Sequence, residues 1–344
     1  MPRALAAALV VALMVPAAAS SRTAASATLP PLTAAAAASY DVVGERFIRR
    51  VNADVRLAPA SLAKMLVALI VAEQLTPDEQ ISISLRAANT KPDNIRWPAG
   101  AVYTADELLH AMMMESSNGA AVAFADHIAG SVTTFSEIMD AKAASLGAHD
   151  THIIEPSGLD AEGQYSTAND MALIAAAVVR DPWLSKVVRT KTHVIPWKNG
   201  GKYTLHTLNG WIVRFDGAIG VKNGYTTQAG NCLAAAATRF GRTVVTVVLN
   251  DRRWYADSVA LMEDAFPRSV PGEVKPLPPK TAAASADVRA AAAAVPAGRT
   301  SKLLAATMAM GAATLTVAAR RRQVVRRRRA RAAARRSRLP SLPG

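Results

Sequence analysis

Apolar side chains at Leu62, Met65, Leu66, Leu69 and Ile70 recur at i, i+3, i+4, i+7 and i+8, the spacing that predicts a helix with one buried face. Pro59 disfavours helical geometry in the residue before it, so the helix starts here and Ser61 falls in its first turn, where backbone N–H groups lack intrahelical partners. Downstream, Thr104 with Glu107 predicts a capping box for a helix through Leu108, Leu109, Met112 and Met113. That helix breaks at Ser116-Ser117-Asn118 and resumes from Gly119 to near Gly130. Phe135–Leu146 and Thr167–Val179 are two more amphipathic stretches, the second closed by Asp181-Pro182.

The period then changes from helical to alternating. Thr192–Trp197 and Lys202–Leu208 flank Asn199-Gly200, and Cys232–Thr238 and Thr243–Leu249 flank Phe240-Gly241-Arg242, both hairpin signals. Near the start, Tyr40–Val43 and Arg46–Val51 around Gly44-Glu45 predict another hairpin, and Trp254–Phe266 predicts a closing helix. Strands at both ends with helices between them predict an α+β domain over residues 40–266, an antiparallel sheet flanked by a helical cluster.

The flanks differ in composition. Residues 1–20 have the charged start, apolar run and small-residue end of a secretory signal peptide, and 21–39 form an Ala/Ser/Thr-rich spacer. Residues 267–302 are a Pro/Ala-rich linker. Residues 303–319 carry no charge, about 26 Å as a helix, and predict a short transmembrane anchor. Eleven arginines follow between 320 and 344, so of the formal charge of +14 the rest of the chain carries only +3. Such a tail predicts a cytoplasmic side held against anionic lipid, with the main domain extracytoplasmic at the cell membrane and no nucleic-acid partner. A single cysteine, Cys232, in an apolar run excludes an intrachain disulfide and predicts a buried, inert thiol. Six histidines without H-x-x-x-H or H-E-x-x-H spacing indicate no metal site and no cofactor, and leave open a pair of histidines brought close by the fold.

The candidate chemistry starts at Ser61 and Lys64, one helical turn apart on one face. A serine hydroxyl attacks only when a base takes its proton, and a lysine is such a base only when burial and nearby cations lower its pKa. Lys64 is the only charge between Arg56 and Glu73. The plainer reading is a capping serine and a lysine that reaches out to solvent. Two Lys-Asn-Gly triplets follow. Residues 198–200 read as a solvated hairpin tip, whereas 222–224 follow the small residues of Gly217-Ala218-Ile219-Gly220 and are the better site element.

Three elements thus stand in order: Ser61 to Lys64, Ser116 to Asn118, and Lys222 to Gly224. With Ala58-Pro59-Ala60, Ser117-Asn118-Gly119-Ala120, Pro156-Ser157-Gly158-Leu159-Asp160 and Gly220-Val221-Lys222-Asn223-Gly224-Tyr225-Thr226, they resemble the D-alanyl-D-alanine carboxypeptidases, the low-molecular-weight penicillin-binding proteins. The resemblance implies a β-lactamase/transpeptidase-like fold and an acyl-serine reaction on peptidoglycan stem peptides ending in D-Ala-D-Ala, with β-lactams as inhibitors. It implies catalytic roles for Ser61 (nucleophile), Lys64 (base), Ser116 (proton relay) and Asn118. Lys222, Asn223, Gly224, Tyr225 and Thr226 are implied on the substrate side, with the amides of Ser61 and Tyr225 as the oxyanion donors. Two departures matter: Asn223 stands where the family usually has Thr or Ser, and Glu155 precedes Pro156. Glu155 invites comparison with the deacylating glutamate of serine β-lactamases, but reads better as a solvated or locally hydrogen-bonded loop residue. D,D-endopeptidase, β-lactamase and a catalytically weak peptidoglycan-binding protein are the alternatives.

Overall fold

The computed structural model describes residues 29–277. The chain opens with β1 (Ala36–Asp41) and β2 (Arg46–Val51), followed by a 3-10 turn at Ala60–Ala63 that runs into α1 (Lys64–Gln74). Next come β3 (Gln80–Ser82), α2 (Leu85–Asn89), β4 (Val102–Thr104), α3 (Ala105–Met114), α4 (Asn118–Ala129) and α5 (Val132–Ser145). After a long loop follow α6 (Ala168–Arg180), α7 (Pro182–Val187), the hairpin of β5 (Thr192–Trp197) and β6 (Gly201–His206), and α8 (Gly210–Arg214). Strands β7 (Ala218–Thr226), β8 (Gly230–Arg239) and β9 (Arg242–Leu249) and helix α9 (Trp254–Ala265) complete the domain.

The first and last strands of the domain meet in one five-stranded antiparallel sheet, ordered β2-β1-β9-β8-β7. Alternation along each strand divides its side chains between two cores. Ala36, Ala38, Ala234, Ala236, Val245 and Val247 face the helical cluster, whereas Ala37, Leu233, Ala235, Ala237, Val244 and Val248 pack with Leu261, Met262 and Ala265 of α9. With both faces covered, the strands read as unbroken apolar runs, and the alanines let helices lie close on either side.

Four expectations need correction. Ala36–Ser39, read as spacer, are fully buried and begin β1, because a run of alanines shows no polar alternation even when both its faces are packed. Helix α1 buries every residue from Lys64 to Ala72 rather than one face, since Val67, Ala68, Val71 and Ala72 fill the side opposite the expected stripe. Asp181-Pro182 does not only end α6: the Asp181 carboxylate accepts from the N–H groups of Trp183 and Leu184 and caps α7. The domain also continues past Phe266, with Val274 and Leu277 packed on the helical core and Leu277 N–H donating to the Arg180 carbonyl at 3.2 Å.

The predicted signal peptide (1–20), the spacer up to residue 28, the linker from 278, the predicted anchor (303–319) and the arginine tail lie outside the described residues. Among the described residues no helix is long and apolar enough to cross a membrane.

Candidate active site

Ser61 sits in the 3-10 turn that leads into α1, and its neighbour Ala60 adopts a left-handed conformation, φ +50°. The 155–160 loop, turned by a bond from Gly158 N–H to the Glu155 carbonyl, holds that backbone in place. Gly158 lies beneath it at φ +76°, where a β-carbon would come within 1.9 Å of the Ala60 oxygen. Only glycine fits there.

Lys64 is wholly buried, and its Nζ lies 2.9 Å from Ser61 Oγ and 2.7 Å from Asn118 Oδ1, with a third contact to the Ser157 carbonyl oxygen. An ammonium spends all three protons on these partners. A neutral amine that keeps its donations to Asn118 and Ser157 turns its lone pair to the Ser61 hydroxyl. Burial chiefly, then the charge of Lys222, holds Lys64 well below the ordinary lysine range, while Asp93 and Glu155 pull the other way. That is the electrostatic state a general base requires.

Asn118 opens α4 and its Nδ2 donates to the Pro92 carbonyl at 2.6 Å, which fixes the orientation of the amide toward Lys64. Ser116 occupies the break between α3 and α4 in a left-handed conformation, φ +61°, half-buried. Ser117 is structural: its hydroxyl accepts from Ala120 N–H and Trp97 Nε1 and donates to Asp93 Oδ2 at 3.0 Å.

Strand β7 closes the other side. A β-carbon on Gly224 would lie 2.8 Å from the Ser61 nitrogen, so the strand backbone runs directly against the Ser61 amide. Lys222 is wholly buried, with Nζ 2.9 Å from the Asn223 carbonyl oxygen and 3.4 Å from Asn223 Oδ1, and burial lowers its pKa to about 7. Tyr225 is exposed beside it. Thr226 is engaged elsewhere: its hydroxyl donates to Asp160 at 2.5 Å and ties β7 to the 155–160 loop. Lys198, of the first Lys-Asn-Gly triplet, lies exposed at the β5–β6 tip.

Glu155 accepts from the Ser157 hydroxyl at 3.0 Å and is a locally bonded loop residue. Cys232, opposite Gly224 in the sheet, is buried, which pushes its thiol up to about 11. Sequence reasoning missed Asp93, whose carboxylate takes the N–H groups of Ile95 and Gly119 as well as the Ser117 hydroxyl, and whose own pKa burial raises. It also missed the Ser157 carbonyl. Neither carries a sequence signal, one being a lone acid in a polar loop and the other a backbone atom.

This arrangement coincides with a match over most of the domain. The D-alanyl-D-alanine carboxypeptidase family profile covers residues 22–253. The chain belongs to that family. Its carboxypeptidase relatives include DacF of Bacillus subtilis, 33% identical over 57% of this chain and 52% of the relative. Another is DacB2 of Mycobacterium tuberculosis, 32% identical over 58% of this chain and 68% of the relative. The chain thus spans about half the length of the Bacillus protein. Among solved structures, a D-alanyl-D-alanine carboxypeptidase from Mycobacterium tuberculosis superposes with a TM-score of 0.68 at 28% identity, over 74% of this chain and 98% of that one. The Streptomyces K15 DD-transpeptidase gives 0.66 at 28%, over 70% and 99%. The mixed helical and antiparallel fold is therefore that of the penicillin-binding enzymes.

Proposed function

We propose that the chain is a serine D-Ala-D-Ala carboxypeptidase that removes the terminal D-Ala from peptidoglycan stem peptides. The observation that carries this reading is the 2.9 Å contact between the buried Lys64 amine and the Ser61 hydroxyl. Lys64 takes the hydroxyl proton as Ser61 Oγ bonds to the carbonyl carbon of the penultimate D-Ala, and the N–H groups of Ser61 and Tyr225 hold the oxyanion. The C–N bond then breaks, the departing D-Ala amine receives a proton through Ser116, and water hydrolyses the ester. Asn118 holds Lys64 and the substrate amide, and Lys222 with Asn223 receives the terminal carboxylate.

Release of D-Ala from a diacyl-D-Ala-D-Ala peptide tests this. Wild type releases it and Ser61→Ala does not. Release from cross-linked dimers, transfer to an acceptor amine, or sustained β-lactam turnover with no D-Ala release would reassign the reaction to an endopeptidase, a transpeptidase or a β-lactamase.

The same reading places the domain outside the cytoplasmic membrane, exported by residues 1–20 and tethered through 303–319, with the arginine tail against anionic headgroups. Retention of the full-length protein in membranes after alkaline carbonate supports the tether, and its release argues against it.

A further inference from the structure

The fold brings together two histidines that the sequence keeps far apart. His110 on α3 and His193 on β5 stack with ring centroids 3.8 Å apart and planes within 7°. One helical turn before His110, Asp106 joins them, its Oδ2 lying 3.3 Å from His110 Nδ1. One donor atom from each of the three lies within 4.8 Å of the others. The carboxylate is held from behind, where its Oδ1 accepts from Trp183 Nε1 at 2.7 Å, the kind of outer bond that orients a metal-binding carboxylate. His110 is itself nearly buried and fixed by a 2.8 Å contact between Nδ1 and the Asp106 carbonyl oxygen.

We propose that Asp106, His110 and His193 form a binding site for a divalent transition-metal ion of the zinc type. An acid and an imidazole at i and i+4 of one helix present their donors on one face, and a third ligand from the facing strand makes a two-His, one-carboxylate set. Zinc–nitrogen and zinc–oxygen bonds of about 2.0–2.2 Å in a tetrahedron set neighbouring ligand atoms about 3.3–3.5 Å apart. The Asp106–His110 edge already has that length. Binding therefore asks His193 to turn out of the stack toward that edge, and His110 to present Nδ1 as the lone-pair nitrogen, its ring proton on Nε2.

An ion here joins α3 to β5. The same helix ends at Glu115, whose carboxylate accepts from His206 N–H at 2.9 Å and from the Tyr203 hydroxyl at 3.2 Å, so the helix becomes held to the open end of the hairpin at two points, the second beside Ser116. Neither Ser61 nor Lys64 is a ligand, and the site stands whatever reaction the serine performs.

Titration of the tag-free full-length chain with zinc chloride tests it. One saturable equivalent is expected, with Tm rising by roughly 5 °C or more at a hundredfold excess over Kd. His193→Ala, on a half-exposed strand position, should weaken binding about a hundredfold while leaving the metal-free Tm unchanged, and His152→Ala, which removes a different His–Asp pair, should leave it intact. Copper(II) bound to wild type should show two-nitrogen coupling in its EPR spectrum. Absence of a saturable equivalent, equal affinity in His193→Ala, loss of binding in His152→Ala, or an all-oxygen copper spectrum would overturn the proposal.

Discussion

Gly158 supports Ala60 so closely that a methyl group on it would meet the Ala60 oxygen at 1.9 Å and the Ser61 nitrogen at 3.1 Å. The loop after Glu155 is thus a mould for the backbone that carries Ser61. Gly158→Ala adds both a clash and a side chain at φ +76°, for an expected loss of about 2–4 kcal/mol of stability. Because the clash displaces the Ser61 amide, the rate of acylation by a β-lactam should fall at least tenfold even under conditions where the variant remains folded. Urea unfolding and stopped-flow acylation measure the two effects separately.

Lys222 costs the fold stability. Its pKa falls to about 7 in the native state from an ordinary value of 10.5, so the unfolded chain binds the extra proton between those values. Stability therefore rises with pH from about 7 to about 10.5, and the penalty is fully present below 7. Lys222→Met, which keeps the volume and removes the charge, should gain about 1–4 kcal/mol at pH 6, with the gain shrinking above pH 7 and gone near 10.5. The same variant should lose affinity for substrates ending in a carboxylate. Equal stability of the two proteins at pH 6 would contradict a buried charge at this position.

Two buried lysines with opposed requirements imply a bell-shaped profile for kcat/KM. The acid limb follows loss of the Lys64 proton, and the alkaline limb follows loss of the Lys222 charge near pH 7. A substrate whose terminal carboxylate is replaced by an amide should lose the alkaline limb and keep the acid one. Identical profiles for the two substrates would separate Lys222 from carboxylate recognition.

Asp93 holds the start of α4 and raises the pKa of Lys64 through its charge. Asp93→Asn keeps an acceptor for the Gly119 N–H but removes the charge, so the acid limb should move to lower pH while stability falls by about 1–3 kcal/mol. An unmoved limb alongside lowered stability would make Asp93 a purely structural residue.

Asn223 is the residue that departs from the family pattern. Its side-chain Oδ1 accepts from Lys222 Nζ at 3.4 Å, which occupies part of the cation's donor capacity. Asn223→Thr should raise kcat/KM for D-Ala release about threefold to tenfold, through a stronger hydroxyl donation to the substrate carboxylate and a freer Lys222. Steady-state kinetics against the parent enzyme checks this.

Much of the site was legible because acyl transfer restricts residue type and spacing. Ser61 and Lys64 lie one turn apart, Asn118 follows a helix break, and Lys222 follows small residues. The hairpins were legible through their turns: Asn199 takes φ +56° and Phe240 φ +52°. What escaped is what carries no pattern. Ala36–Ala38 form a strand without polar alternation, α1 is apolar all round, and α7 and α8, of six and five residues, are too short to show a period. The bonds that orient the lysine come from Asn118 and a backbone carbonyol of the 155–160 loop, and tertiary packing alone brings that carbonyl to Lys64.

The central claim is that Lys64 arms Ser61 for acylation. Intact-mass analysis after incubation with penicillin, followed by peptide mapping, tests it most directly. One covalent equivalent on the peptide containing Ser61 is expected in wild type, with none in Ser61→Ala and at least a hundredfold slower labelling in Lys64→Met. An unmodified wild-type mass, or an adduct mapped to another residue, would contradict the account.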